Sequence, residues 1–140
     1  MIECVPSTKL IGGIVSQDTK WFQNTTYICK KARGKLWIMR RMLELNLDIS
    51  QLFDVFVKEI RSILEMAVPV WHSGITRKQA DDIESIQKTA MKIILQENYS
   101  GYDMACKILS TQTLENRRTK LCYNHANKNL KSDNFCFTTV

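Results

Sequence analysis

Apolar residues along this chain fall into two spacings: one short unbroken run near the start, then repeats close to 3.6 almost to the end. The run Lys9-Leu-Ile-Gly-Gly-Ile-Val15 is β-branched and predicts one strand. The adjacent Gly12 and Gly13 weaken it, or mark a bulge or a close backbone approach. Residues 16–20 predict a turn, and residues 1–8 a disordered start. A lone strand leaves its edge unpaired. The expectation is therefore that its sheet lies upstream.

From about residue 26 to 45, Ile28, Ala32, Leu36, Met39 and Leu43 share one helical face. A break at 46–48 precedes a second helix over about 49–68. Its apolar arc holds Leu52, Phe53, Phe56, Ile60, Ile63, Leu64 and Ala67, and its polar stripe holds Asp54, Lys58, Arg61 and Glu65. This helix is expected to be the central and most buried one, ended by Pro69. Trp71 then reads as a core anchor in a connector. Thr76 and Gln79 form a capping-box signature for a third helix over about 77–95, which buries Ile83, Ile86, Ala90, Ile93 and Ile94. A short fourth helix is expected near 102–109, and a fifth over about 114–130, capped by Thr113. The polar stretch 131–140 predicts a flexible tail. The fold class is thus mainly α: an antiparallel bundle of four to five helices with one short N-terminal β-strand, forming a single domain over 9–130.

Composition changes this picture little. Of 140 residues, 44% are hydrophobic and 24% charged, the balance of a folded domain. The net charge of +6 favours polyanionic partners. Five widely spaced cysteines with no C-x-x-C predict free thiols in a reducing compartment. No signal peptide and no membrane span are read, so the expected location is intracellular, nucleus or cytoplasm, with no membrane partner.

The blocks in this order resemble the region after the palm of non-LTR retrotransposon reverse transcriptases. The resemblance rests on the 9–15 run, Trp21, Tyr27-Ile-Cys-Lys-Lys-Ala32 and Leu36-Trp-Ile-Met-Arg-Arg41. It continues through Ile60 to Gly74, with Pro69-Val-Trp-His72 inside it, and through Ile83-Glu-Ser-Ile-Gln-Lys88 and Lys92-Ile-Ile-Leu95. It closes on Tyr99-Ser-Gly-Tyr102 and Thr113-Leu-x-x-Arg-Arg-x-x-Leu-Cys122. It spans about 9–130. Two departures are Asn24-Thr25, where the family often has His-Ile, and Gln96-Glu97, where it has a small residue. The resemblance implies a thumb-like helical region that holds the template–primer duplex. It also implies that the palm and its metal-binding aspartates lie upstream of Met1, outside this sequence.

Candidate chemistry is sparse. Gln79-Ala-Asp-Asp82 echoes the polymerase aspartate box but falls in the expected first turn of a capped helix, where acids complement the macrodipole. A two-metal site needs carboxylates at a strand turn. Cys122-x-x-His125 with Cys136 falls short of a four-ligand zinc site. No catalytic residue, metal or cofactor is therefore assigned. The basic cluster of the first helix is the main signal. Lys30, Arg33, Arg40 and Arg41 lie opposite the apolar stripe, and Trp37 sits among them, an arrangement suited to phosphate contact and base stacking. Arg117 and Lys120 are expected to point outward and extend that surface. Arg118 is expected to point inward, on the face of Leu114, Leu121 and His125, and to pair with Glu59. The leading function is RNA or DNA binding without catalysis. The alternatives are a protein-binding or self-associating module, using surface that a palm would cover, or a decayed reading frame.

Overall fold

The computed structural model describes residues 7–10, 13–16 and 21–137, with side chains over 21–131. Ser7–Leu10 (β1) and Gly13–Ser16 (β2) pair antiparallel, with Ser7 opposite Ser16 and Leu10 opposite Gly13. The single strand expected over 9–15 is therefore two strands, with the second of the adjacent glycines opening β2. Each strand supplies one side of the other's ladder, and no third strand joins them among the described residues. β2 lies against the first helix.

That helix, α1 (Phe22–Glu44), begins earlier than periodicity predicts. Asn24 and Thr25 are buried in its first turns although polar. The Thr25 backbone N–H and its hydroxyl both donate to the Trp21 carbonyl, each at 2.9 Å. Ile28, Cys29, Ala32, Leu36 and Met39 form the buried stripe. Asn46 ends the helix region in the left-handed conformation (φ 59°), which asparagine tolerates better than most residues.

The second helix, α2, runs over 49–64 in three parts: α over Ile49–Val55, π over Phe56–Arg61, and α again over Ser62–Leu64. Asp48 caps it through a reciprocal box with Gln51: the Gln51 N–H donates to Asp48 at 2.9 Å, and the Asp48 N–H donates to the Gln51 side chain at 3.2 Å. The π segment has a reason in the sequence. Leu52, Phe56, Ile60 and Leu64 are its buried residues, spaced by four each time. In a plain α-helix that spacing drifts by roughly 40° per step. The wider π turn absorbs the drift and keeps all four facing the core.

α2 stops at Leu64, short of the expected 68. Ala67 is exposed and left-handed (φ 53°), and Pro69 sits in the first turn of a new four-residue helical turn, Val68–Trp71. Pro69 therefore starts an element, the position where a missing N–H costs least. Trp71 is buried, and its indole N–H donates to the Met66 carbonyl at 2.8 Å, closing the loop.

α3 (Arg77–Leu95) starts at the expected capping box of Thr76 and Gln79. It is the most buried helix, correcting the assignment of that role to α2. Ile83, Ile86, Ala90, Met91, Ile94 and Leu95 face the core, together with Gln79 and Gln87, whereas Ile93 is only partly buried. α1, α2 and the two later helices all pack on α3. These are α4 (Tyr102–Ile108) and α5 (Leu114–Phe137). α5 runs on past 130, through part of the stretch expected to be a flexible tail. No helix among the described residues is long and apolar enough to cross a membrane.

Candidate nucleic-acid interface

The buried stripe of α1 fixes what its opposite face presents. Lys30, Arg33, Arg40 and Arg41 are all exposed, and Trp37 stands among them at 59% exposure. These five candidates share one helix face. From Lys30 to Arg41 the helix rises roughly 16 Å, the axial span of about five phosphates of one strand. Arg41 reaches Glu44 at 2.9 Å, an exposed pair of little energetic weight. Lys31 lies 6.0 Å over the Tyr27 ring. Lys35 is turned aside and held by Glu59 at 3.2 Å.

The basic face borders a cavity of about 480 Å³ between α1 and the start of α3. Lys30 and Arg33 line one wall, and Lys78 and Asp82 the other. Lys78 is the member sequence reasoning missed. It lies 48 positions from Lys30, and only the packing of α3 on α1 brings the two to one cavity. Cys29 also lines this wall, and burial pushes its thiol up to about 11. A thiol so shifted is a poor nucleophile near neutrality. Cys29 is expected to react with iodoacetamide at pH 8 about a hundredfold more slowly than the same cysteine in the unfolded chain. Mass spectrometry of the alkylated peptides would measure this, and comparable rates would contradict the burial.

The remaining candidates lie elsewhere. Arg117 is not free: it forms a bidentate pair with Glu65 across to the end of α2, its NH2 group 3.0 Å from Glu65 Oε2. Lys120 is exposed on α5, which packs on the Val68–Trp71 turn and α3. Arg117, so held, is not available to extend the α1 face. Arg118 does point inward, at 1% exposure, but Glu59 is not its partner. The π turn of α2 carries Glu59 out of the apolar arc to the surface, where it meets Lys35. His125, expected on the inward face of α5, is exposed and contacts Asn129 at 3.2 Å. Asp81 and Asp82 fall in the second turn of α3, not the first; Asp81 pairs with Arg77 at 3.4 Å. Cys136, considered as a zinc ligand, has its side chain outside the described residues.

A second polar cluster, invisible to periodicity, joins α3, α4 and α5. The Glu84 carboxylate accepts the N–H of Leu114 at 2.9 Å and of Glu115 at 3.1 Å, and also the Tyr102 hydroxyl. It thus caps α5 from another helix, alongside Thr113, whose hydroxyl accepts the Asn116 N–H at 3.2 Å. The Gln87 amide donates to the Tyr102 oxygen at 2.9 Å and to the Gln112 carbonyl at 3.0 Å. Burial, then the Glu84 contact, raises the Tyr102 pKa well above its ordinary value, so the phenol stays a donor. This cluster is structural in character. Compared with family models, with curated proteins and with solved structures, the chain matches none.

Proposed function

We propose that this chain is a non-catalytic helical module, related to the thumb-like region of non-LTR reverse transcriptases, that contacts nucleic-acid backbone through the exposed face of α1. One observation carries the reading. Lys30, Arg33, Arg40 and Arg41 surround an outward tryptophan on one helix, and Lys78 faces them across the cavity. Cations without a matching set of acids attract phosphate, and an exposed indole offers a stacking platform. The family resemblance supports a template–primer duplex as the ligand.

The test is a fluorescence-anisotropy titration of an RNA–DNA hybrid at 50 and 200 mM salt. Four phosphate contacts give about a hundredfold loss of affinity over that range. Changing Lys30, Arg33, Arg40 and Arg41 to alanine should remove most of the binding and flatten the salt dependence. Absence of binding by folded protein at about 100 µM, or binding untouched by the substitutions, would sink the proposal.

A second reading is self-association. Beyond Cys122, α5 is exposed nearly all round and presents Tyr123 and Leu130. Apolar association of that kind would persist at high salt, so sedimentation at both ionic strengths separates the two readings.

A further inference from the structure

A second cavity, of about 240 Å³, opens where the connector after Trp71 meets the first turns of α3 and α5. Arg118 lines it. Its guanidinium is among the most buried groups of the chain, and Nε and both terminal nitrogens lack a hydrogen-bond partner among the described residues. His72 Nδ1, on the same cavity, is likewise buried and unpartnered. A buried guanidinium left unpaired is costly, and having no acceptor of its own it needs oxygens brought to it. The rim carboxylate, Glu115, is engaged by Arg77 at 3.4 Å. Glu84 and Glu65 are committed to the α5 cap and to Arg117.

The other walls are also donors. The α3 capping box engages the N–H of Thr76 and of Gln79, and the first-turn amides of Arg77 and Lys78 have no acceptor within the helix. A nineteen-residue helix thus presents its positive end to the same space. Burial, then the charge of Arg118, lowers the His72 pKa, with the Glu115 carboxylate opposing. Glu84, Glu115 and Glu65 act on Arg118 through their charge, without a hydrogen bond to its guanidinium.

We infer that this cavity is a phosphate site, taking free phosphate or a terminal phosphate monoester. Arg118 supplies a buried two-nitrogen fork, His72 an Nδ1–H, and Arg77 a cation at the mouth. Donors arriving from three elements match a tetrahedral anion better than a planar carboxylate, which an arginine fork satisfies alone. The cavity has the space of about eight waters, enough for a phosphate group. The site is separate from the α1 face, and its failure would leave that reading untouched.

The test is thermal denaturation with inorganic phosphate at constant ionic strength, chloride replacing it in the control. At ten times Kd, phosphate should raise the melting temperature by about 4–5 °C. Arg118→Met should abolish the shift, and the exposed Arg77→Ala, which carries the test if Arg118→Met does not fold, should weaken binding several-fold. Glu115→Gln should tighten binding, because it removes the competing rim carboxylate. No shift in the unaltered chain at about 50 mM phosphate, or equal shifts in Arg118→Met and Arg77→Ala, would overturn the inference. Weaker binding in Glu115→Gln would overturn it too, because removing a negative charge from the rim of an anion site cannot weaken anion binding there. Competition by a 5′-phosphorylated oligonucleotide, but not its 5′-hydroxyl counterpart, would assign the site to a nucleic-acid end. Competition by neither would assign it to free phosphate.

Discussion

Trp71→Ala is expected to destabilise the chain by about 4 kcal/mol and to lower its melting temperature by roughly 12–16 °C. The indole is buried at 2% exposure and packs in the core cluster that α1, α2 and α3 share. Removing it costs the transfer energy of a large aromatic and leaves a cavity. It also strands the Met66 carbonyl, which receives the indole N–H at 2.8 Å. That bond holds the loop in which Ala67 adopts a left-handed backbone. Trp71→Phe keeps most of the volume and loses the hydrogen bond, so it should cost about half as much. Urea denaturation of both variants measures the difference. A loss below 1 kcal/mol for the alanine variant would mean that Trp71 does not anchor the core.

The second large effect is expected at Glu84. Glu84→Ala strips two backbone N–H groups of α5 and the Tyr102 hydroxyl of their shared acceptor. A charged cap with three donors is worth about 3 kcal/mol. Glu84→Gln retains an acceptor oxygen and should recover roughly half of that. Denaturation followed by circular dichroism tests this ordering; equal losses for the two variants would show that volume, not hydrogen bonding, sets the role of Glu84.

What the sequence discloses, and what it hides, follows from where the determining interaction lies. The α1 stripe is legible because Ile28, Ala32, Leu36 and Met39 are apolar at helical spacing and nothing disturbs the helix between them. The start of α1 is not, because Asn24 and Thr25 are buried without being apolar. The capping box of α3 is local in sequence and readable at Thr76 and Gln79. The Glu84 cap of α5 spans 30 positions and is not. Arg118 can be placed inward from its spacing to Leu114, yet its surroundings cannot be derived. They come from the connector after Trp71 and the first turn of α3, which only the fold brings to α5, and the π turn alters the phase of α2 after Phe56. The same alteration moved Glu59 to the surface. The basic face of α1 is thus readable from the chain, whereas Lys78 and the Arg118 cavity require the fold.

The way α5 is attached has a dynamic consequence. Over its described side chains, Leu114 is the fully buried apolar residue and Arg118 the buried charge; Leu121 and Cys122 pack on the core only partly buried, and the polar ties include the Glu65 pair, the Arg77–Glu115 pair and the Glu84 cap. So little apolar contact makes docking of this helix separable from the cohesion of the rest. α5 is therefore a local unfolding unit. Its amides are expected to exchange with solvent through openings that cost less than global unfolding, ahead of those of α1 and α3, which native-state hydrogen exchange would measure.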